Sequence, residues 1–163
     1  MRSALSLAIP ALFLLSSCTA EPDTDTELAT AIESIQEHNR AVETALSNRD
    51  LEALMAEIAE DAVWMPPNEE TLIGKERIRA FYEELFSQSD FEGGLDPNNQ
   101  ELHVFGDWAV FRSVLVGFAT PPGGGEATPI ANKLVNLLHR EPDGTWKHVW
   151  DIWNPSPAEP SSR

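Results

Sequence analysis

Apolar positions between residues 27 and 88 recur every three or four residues in three separate segments. This spacing puts them on one face of a helix, so each segment is predicted to be an amphipathic helix. The first helix begins near Glu27 behind a Thr26 cap and ends at about Ser47, and the second covers residues 51–58. The third follows a glycine, and its apolar face comprises Ile78, Phe81, Tyr82, Leu85 and Phe86.

The second half of the chain has the pattern of strands and turns. Turn sequences such as Gly106-Asp107 favour hairpins, and an earlier short strand, 62–65, is ended by a pair of prolines. Residues 90–99, rich in Gly, Asp and Asn, are predicted to be a loop. Helices followed by antiparallel strands indicate one α+β domain over residues 27–154. Four apolar-rich segments are predicted to be strands, at residues 101–105, 108–119, 128–140 and 146–154.

Asp151 is the main candidate for chemistry, because it lies in the last strand between apolar neighbours on both sides. A carboxyl group in such a place has to be paired, hydrogen-bonded or protonated. The last turn predicts a register with Val135 opposite Asp151 and Lys133 diagonally across on the same face. Lys133 and Arg112 are the candidate partners in a structural ion pair. The alternative is a pocket acid, with Asp151 and Arg112 as catalytic residues.

Four further side chains are candidate ligand-binding residues: Trp64, Tyr82, Asn136 and Lys133. Trp64 and Tyr82 are predicted either to line the mouth of a pocket or to pack in an ordinary core. Asn136 lies between two apolar residues of a strand, where an amide either contacts a ligand or satisfies neighbouring backbone groups.

The histidines do not predict a metal site. His139 and His148 are expected on opposite faces of the sheet, and no two histidines have a short ligand spacing such as HxxxH. We therefore expect neither a metal nor another cofactor.

The first residues of the chain carry a different signal. Arg2 is followed by an apolar run over residues 5–15, and a Leu-Ser-Ser sequence leads into Cys18, the only cysteine. The run is too short for a helix that spans a bilayer and is typical of a secretory signal. The placement of Cys18 resembles the lipobox of bacterial lipoproteins, which implies cleavage before Cys18 and lipid on its thiol and amino groups. An incidental cysteine in an ordinary signal peptide is the alternative.

This resemblance separates a signal peptide over residues 1–17 from the rest of the chain, in which composition and periodicity predict an acidic tether over 18–26, the domain over 27–154 and a disordered tail over 155–163. It implies an exported protein held by lipidated Cys18 on the periplasmic or cell-surface side of a membrane. Whether that is an outer membrane stays open.

The balance of charge excludes some partners. The chain has 11 basic and 27 acidic residues, a formal net charge of −16. Such acidity argues against nucleic acid and against docking on anionic headgroups, since both require Lys and Arg. The last strand is apolar on both faces, so a homodimer is predicted to cover the face away from the helices.

The order of elements resembles the nuclear-transport-factor-2-like superfamily, in its SnoaL-like branch. The resemblance spans roughly residues 28–154 and is carried by four motifs: Asp61 to Pro67, Leu72 to Lys75, Gly106 to Ala109, and Asp143 to Asn154. It implies helices packed into a curved antiparallel sheet to form a cone, the cystatin-like fold. In catalytic relatives an acid inside the apolar cone acts as a general base or hydrogen-bond donor.

Two functions remain open at this point. One is a pocket that binds a small, largely apolar molecule and acts on it by acid–base chemistry, as an isomerase, cyclase or hydrolase does. The other is a non-catalytic homodimeric association module whose cone is filled by aromatic side chains. The fold alone does not decide between them.

Overall fold

The computed structural model describes residues 24–157, and the signal peptide and most of the tether and tail lie outside this range. Three helices and seven strands follow one another along the chain. They are α1 (Thr24–Asn48), α2 (Leu51–Ala56), β1 (Ile58–Met65), β2 (Leu72–Ile73), α3 (Lys75–Gln88), β3 (Asp90–Leu95), β4 (Glu101–Phe105), β5 (Trp108–Thr120), β6 (Thr128–Arg140) and β7 (Trp146–Pro155).

The strands form one sheet with the order β2-β1-β7-β6-β5-β3, and β4 also pairs with β5. The thirteen-residue β5 accommodates both neighbours, because β4 pairs with its first half and β3 with its second. All strand pairs are antiparallel except β1 with β7. The predicted α+β class is confirmed, and the sheet is curved and unclosed.

The helices lie on one face of this sheet and bury its apolar side chains in two clusters. One cluster joins α2, α3 and β1 around Leu54, Trp64 and Ile78. The other joins α1 to the strands through Ile35 and Leu138, which are both fully buried. Among the residues that the structure describes, no helix has the length and apolar character needed to cross a membrane.

Several predicted boundaries are wrong. Helix α1 already begins at Thr24, inside the predicted tether, and β7 continues to Pro155, where the tail was expected to begin. The amide of Ser156 still donates to the carbonyl of Ala131 at 2.8 Å, because β6 extends far enough to accept it. The second helix ends at Ala56, and β1 begins at Ile58.

The predicted loop over 90–99 begins instead with a strand, β3. Its Gly93 lies opposite Gly117 of β5, and a Cβ added to Gly93 would lie 2.2 Å from the carbonyl oxygen of Val116. The ring of Phe91 rests over both glycines. The glycines that suggested a loop therefore allow the backbones of two strands to approach each other closely.

Candidate functional site

Four neighbouring strands each contribute one side chain to a row across the helix-facing side of the sheet. Phe111 of β5 lies opposite Asn136 of β6, Asn136 lies opposite Asp151 of β7, and Asp151 lies beside Trp64 of β1. Asn136 and Trp64 are buried, at 4% and 2% exposure. Asp151 is therefore flanked by an amide on one side and an indole on the other.

An irregularity in β7 gives this row its register. The pairing of β6 with β7 shifts between Leu137 and Leu138, so that Leu138 faces His148 but Asn136 faces Asp151. His148 and Asp151 are three residues apart and would point to opposite faces of a regular strand. The extra residue of a β-bulge brings both to the helix-facing side.

The predicted register is correct on the turn side of this bulge and wrong beyond it. Leu138 pairs with His148 as expected, but Val135 faces Ile152 and Lys133 faces Asn154. The sequence does not show where the extra residue lies, so the prediction continued the register of the turn past the bulge. The predicted pairs beyond the bulge are therefore shifted by one residue.

The row forms part of the wall of a cavity of about 260 Å³. An apolar cavity of about 150 Å³ is enough to hold benzene, so the space suits a molecule of one or two rings. Its lining is mostly apolar. The buried end is formed by Leu54, Ile58, Trp64, Tyr82, Phe86, Phe111, Asn136 and His148, and the half-buried end by Ser89, Phe91, Leu95, Ala119 and Ile130.

The carboxyl group of Asp151 is the site's main titratable group. A small part of the residue is accessible, but its Oδ1 is fully buried and has no hydrogen-bond partner. Burial raises the pKa of Asp151 to about 7, and a hydrogen bond from the Asn136 side chain opposes that rise only in part. Near neutral pH the group is therefore present in both its protonated and its ionised form.

Trp64 and Tyr82 form the aromatic wall beside this carboxyl. The Trp64 Nε1–H donates to the Tyr82 hydroxyl oxygen at 3.2 Å. Burial, together with the negative charge of nearby Asp151, raises the pKa of Tyr82, so the phenol stays protonated. Both residues line the cavity and also pack in the core cluster around Trp64 and Ile78, and neither fills the cavity.

The two cations expected near Asp151 lie elsewhere. Arg112 is exposed on the opposite face of the sheet, where its Nε donates to Glu101 at 3.0 Å. Lys133 is also exposed, opposite Val114 and Asn154. Side chains alternate between the two faces of a strand, and both residues occupy positions that face away from the helices. The predicted ion pair of Asp151 with either residue is therefore wrong.

Sequence reasoning missed a chain of three side chains that ends at the cavity. Glu57, at the end of α2, contacts His38 of α1, and His38 contacts His148, which lines the cavity. Nothing in the sequence around His38 marks it as a buried polar residue, because its partners come from other elements. Within residues 24–157, no group of three His, Cys, Asp or Glu side chains is arranged to hold a metal ion.

Comparison with known families fits this geometry. A family model for the SnoaL-like domain matches residues 39–149. The chain belongs to the SnoaL-like domain family. The match includes Trp64, Tyr82, Asn136 and His148 and ends just before Asp151.

Solved structures share the fold of this SnoaL-like domain. A ketosteroid isomerase-like protein from Erwinia carotovora atroseptica is 27% identical with a TM-score of 0.69, over 77% of this chain and 96% of that chain. A putative dehydratase of the NTF2-like family from Streptomyces avermitilis is 19% identical with a TM-score of 0.69, over 80% and 99%.

A third structure is an NTF2-like protein with a cystatin-like fold from Novosphingobium aromaticivorans. It is 22% identical to this SnoaL-like domain with a TM-score of 0.68, over 85% of this chain and 90% of that chain. These matches confirm the predicted family and fold. Comparison with curated proteins finds no significant match.

Proposed function

We propose that this domain binds a small, largely apolar molecule in the cavity and acts on it by acid–base chemistry centred on Asp151. The observation that carries the proposal is the unpartnered Oδ1 of Asp151 in the wall of an apolar cavity. A buried carboxyl oxygen without a hydrogen-bond partner is costly for folding, and such groups are concentrated at functional sites. The relatives described as a ketosteroid isomerase-like protein and a putative dehydratase support it, because both reaction classes move protons.

The proposed chemistry uses both protonation states of Asp151. The neutral carboxyl donates its proton in a hydrogen bond to a carbonyl or hydroxyl oxygen of the ligand, and transfers it as negative charge develops there. The resulting carboxylate accepts a proton again when the product forms, so the group is unchanged after one cycle. A pKa of about 7 suits both steps at neutral pH.

A non-catalytic module with a filled cone is less well supported. Trp64, Tyr82 and Phe86, the side chains expected to fill the cone, stand around a cavity of about 260 Å³ instead. The dimer proposed below would use the face of the sheet away from the cavity, so a dimer is compatible with an open cavity.

We expect the purified full chain to bind 2-naphthol, an apolar two-ring compound with one hydroxyl group, as measured by its fluorescence. Ala119→Phe adds a ring at the half-buried end of the cavity. Overpacking of about 1–3 kcal/mol should weaken binding roughly tenfold to a hundredfold. The matched control is Ala131→Phe on the neighbouring strand, with its side chain on the outward face.

Equal naphthol binding by wild type, Ala119→Phe and Ala131→Phe would place the probe outside the cavity and contradict the proposal. Native mass spectrometry of the same preparations adds a search for a retained ligand. A retained molecule should be present in wild type and reduced in Ala119→Phe.

For location, we propose that lipid on Cys18 anchors the protein to a membrane on its exported side. Cys18 lies outside the described residues, and the proposal rests on the apolar run and the Leu-Ser-Ser sequence before it. In a bacterial host, the wild-type chain should be recovered in the membrane fraction as a species that begins at a lipid-modified Cys18. More than one acyl chain per protein gives stable attachment.

Cys18→Ser should move the chain to the soluble fraction, because no thiol is then available for lipid. Ser17→Ala keeps a small residue before the cysteine and serves as the control, which should stay with the membranes. Membrane recovery of Cys18→Ser equal to wild type would refute the anchor.

For a partner, we propose a second copy of this chain on the outward face of the sheet. Within residues 24–157, alternate strand positions on this face stay accessible to solvent. Six apolar side chains on this face of the three paired strands β5, β6 and β7 are 40–51% exposed. They are Trp108, Val116, Phe118, Val135, Trp150 and Ile152. An isologous dimer would cover this patch on both subunits at once.

A further inference from the structure

A chain of hydrogen bonds leads from the end of α2 to the cavity. The Oε2 of Glu57 lies 2.6 Å from Nδ1 of His38, and Nε2 of His38 lies 3.0 Å from Nδ1 of His148. His38 and His148 are 5% and 6% exposed. The outer end is more accessible, since 22% of the Glu57 side chain reaches solvent.

The protonation of Glu57 fixes the first link of this chain. The hydrogen bond with His38 lowers the pKa of Glu57, and the charge of Lys147 acts in the same direction. An ionised carboxylate can only accept hydrogen bonds, so Nδ1 of His38 must carry the proton between them. A neutral His38 then has a bare Nε2.

The second link follows from the first. A bare Nε2 on His38 accepts from an Nδ1–H on His148. A neutral His148 that is protonated at Nδ1 has a lone pair on its own Nε2. His148 is neutral near pH 7, because burial lowers its pKa well below the usual value.

We propose that His148 is a second proton-accepting residue of the cavity, held as the Nδ1–H tautomer by Glu57 and His38. The proposal rests on the proposed function of the cavity, which His148 lines together with Asp151. The bulge in β7 places both on the same face of the sheet. Asp151 and His148 then suit a ligand with two functional groups: an oxygen for the neutral carboxyl and a hydroxyl or acidic C–H for the imidazole.

The transfer balances along the three residues. The ligand's proton goes to Nε2 of His148, the Nδ1 proton of His148 moves to Nε2 of His38, and the electron pair stays on the ligand. The positive charge then rests on His38 beside the Glu57 carboxylate, and not on the desolvated His148. The reverse transfers return the proton to the ligand. Glu57 and His38 act as positioning residues, since neither contacts the ligand in this scheme.

Nitrogen NMR of the full chain tests the proposal without any ligand. Long-range ¹⁵N–¹H spectra at pH 7 report which ring nitrogen of each histidine carries the proton. His148 should show a protonated Nδ1 and a bare Nε2. A proton on Nε2 of His148 would overturn the proposal, because the group would then be a donor.

The variant His38→Phe removes the acceptor for Nδ1 of His148, so the share of the Nδ1–H tautomer should fall. His103→Phe is the matched control, because His103 also contacts a glutamate, Glu101, at 2.9 Å but is exposed. A His148 tautomer that is unchanged in His38→Phe would overturn the positioning role. The wild-type spectrum decides the tautomer even if His38→Phe does not fold.

Addition of 2-naphthol separates this proposal from the proposed function. A hydroxyl that donates to His148 should shift its Nε2 resonance and leave that of His103 unchanged, and His38→Phe should bind about tenfold more weakly. Naphthol binding without a shift at His148 overturns the proton-accepting role and leaves the cavity function intact. Absence of binding counts against the cavity function, and the tautomer measurement still decides the arrangement of the three residues.

Discussion

The free energy of unfolding of Asp151→Asn is expected to rise relative to that of wild type by roughly 3 kcal/mol between pH 5 and pH 8. Urea unfolding at the two pH values measures the change. The pKa of Asp151 is about 7 in the folded protein, against 3.8 as the ordinary value. Each unit of pKa corresponds to about 1.4 kcal/mol.

The direction follows from proton binding. Because the pKa is raised on folding, the folded protein holds the proton of Asp151 at pH values where the unfolded chain has lost it. The stability contributed by this proton is complete below pH 3.8 and is lost as the pH rises to about 7. Asparagine does not titrate, so Asp151→Asn does not lose this stability as the pH rises. All other titrating groups are present in both proteins, and their effects cancel in the difference between the two free energies of unfolding.

Asp61→Asn is the control, since it makes the same substitution at a carboxyl group that is exposed to solvent. The amide that Asp151→Asn introduces is buried and can itself lack a partner, so the change with pH is the diagnostic quantity rather than the difference at one pH. A difference between wild type and Asp151→Asn that is constant from pH 5 to 8 would show that Asp151 is ionised throughout, and acid–base chemistry at this residue would then lose its basis.

Trp150→Glu is expected to turn the proposed dimer into a monomer, with a dimer dissociation constant raised by more than about thirtyfold. Trp150 is 51% exposed and lies beside Ile152 and Leu137 on the outward face of the sheet. Loss of a buried aromatic side chain at the centre of an interface costs about 2 kcal/mol or more, and a carboxylate in its place adds a desolvation cost. Sedimentation over a series of protein concentrations measures the constant.

Leu28→Glu provides the control for this variant, because Leu28 is an exposed apolar residue of α1 away from the sheet face. Its self-association should equal that of wild type. If wild type sediments as a monomer at all concentrations, or if both variants associate equally, the outward face is not the interface.

Periodicity and turn sequences predicted most of the fold, since helices with one apolar stripe and strands between glycine turns depend on local residues. The strand over Thr128–Arg140 was predicted at its observed bounds. What the pattern did not contain was pairing between distant segments. The parallel pairing of β1 with β7 joins residues about ninety positions apart, and the sequence of neither strand indicates which strand it pairs with.

The candidate site was predicted in part for the same reason. Asp151 and Asn136 were predicted because each is a polar residue among apolar neighbours, and Trp64 and Tyr82 because aromatic side chains often line pockets. All four line the cavity. Lys133 was inferred from an assumed regular pairing and Arg112 as the other cation of a neighbouring strand, and both lie on the other face of the sheet. Glu57 and His38 were missed because their meaning depends on a contact with each other and not on their neighbours in sequence.

The extra residue in β7 also affects how a pair equivalent to His148 and Asp151 is recognised in other sequences. Here a histidine and an aspartate share a cavity wall at a separation of three positions. In a related chain whose last strand is regular, residues that share the wall must be two positions apart. An alignment without a gap at this point would match Asp151 to a residue on the far side of the sheet and report the acid as missing. A single-residue gap between the two positions restores the correspondence, so searches for this pair need to allow both spacings.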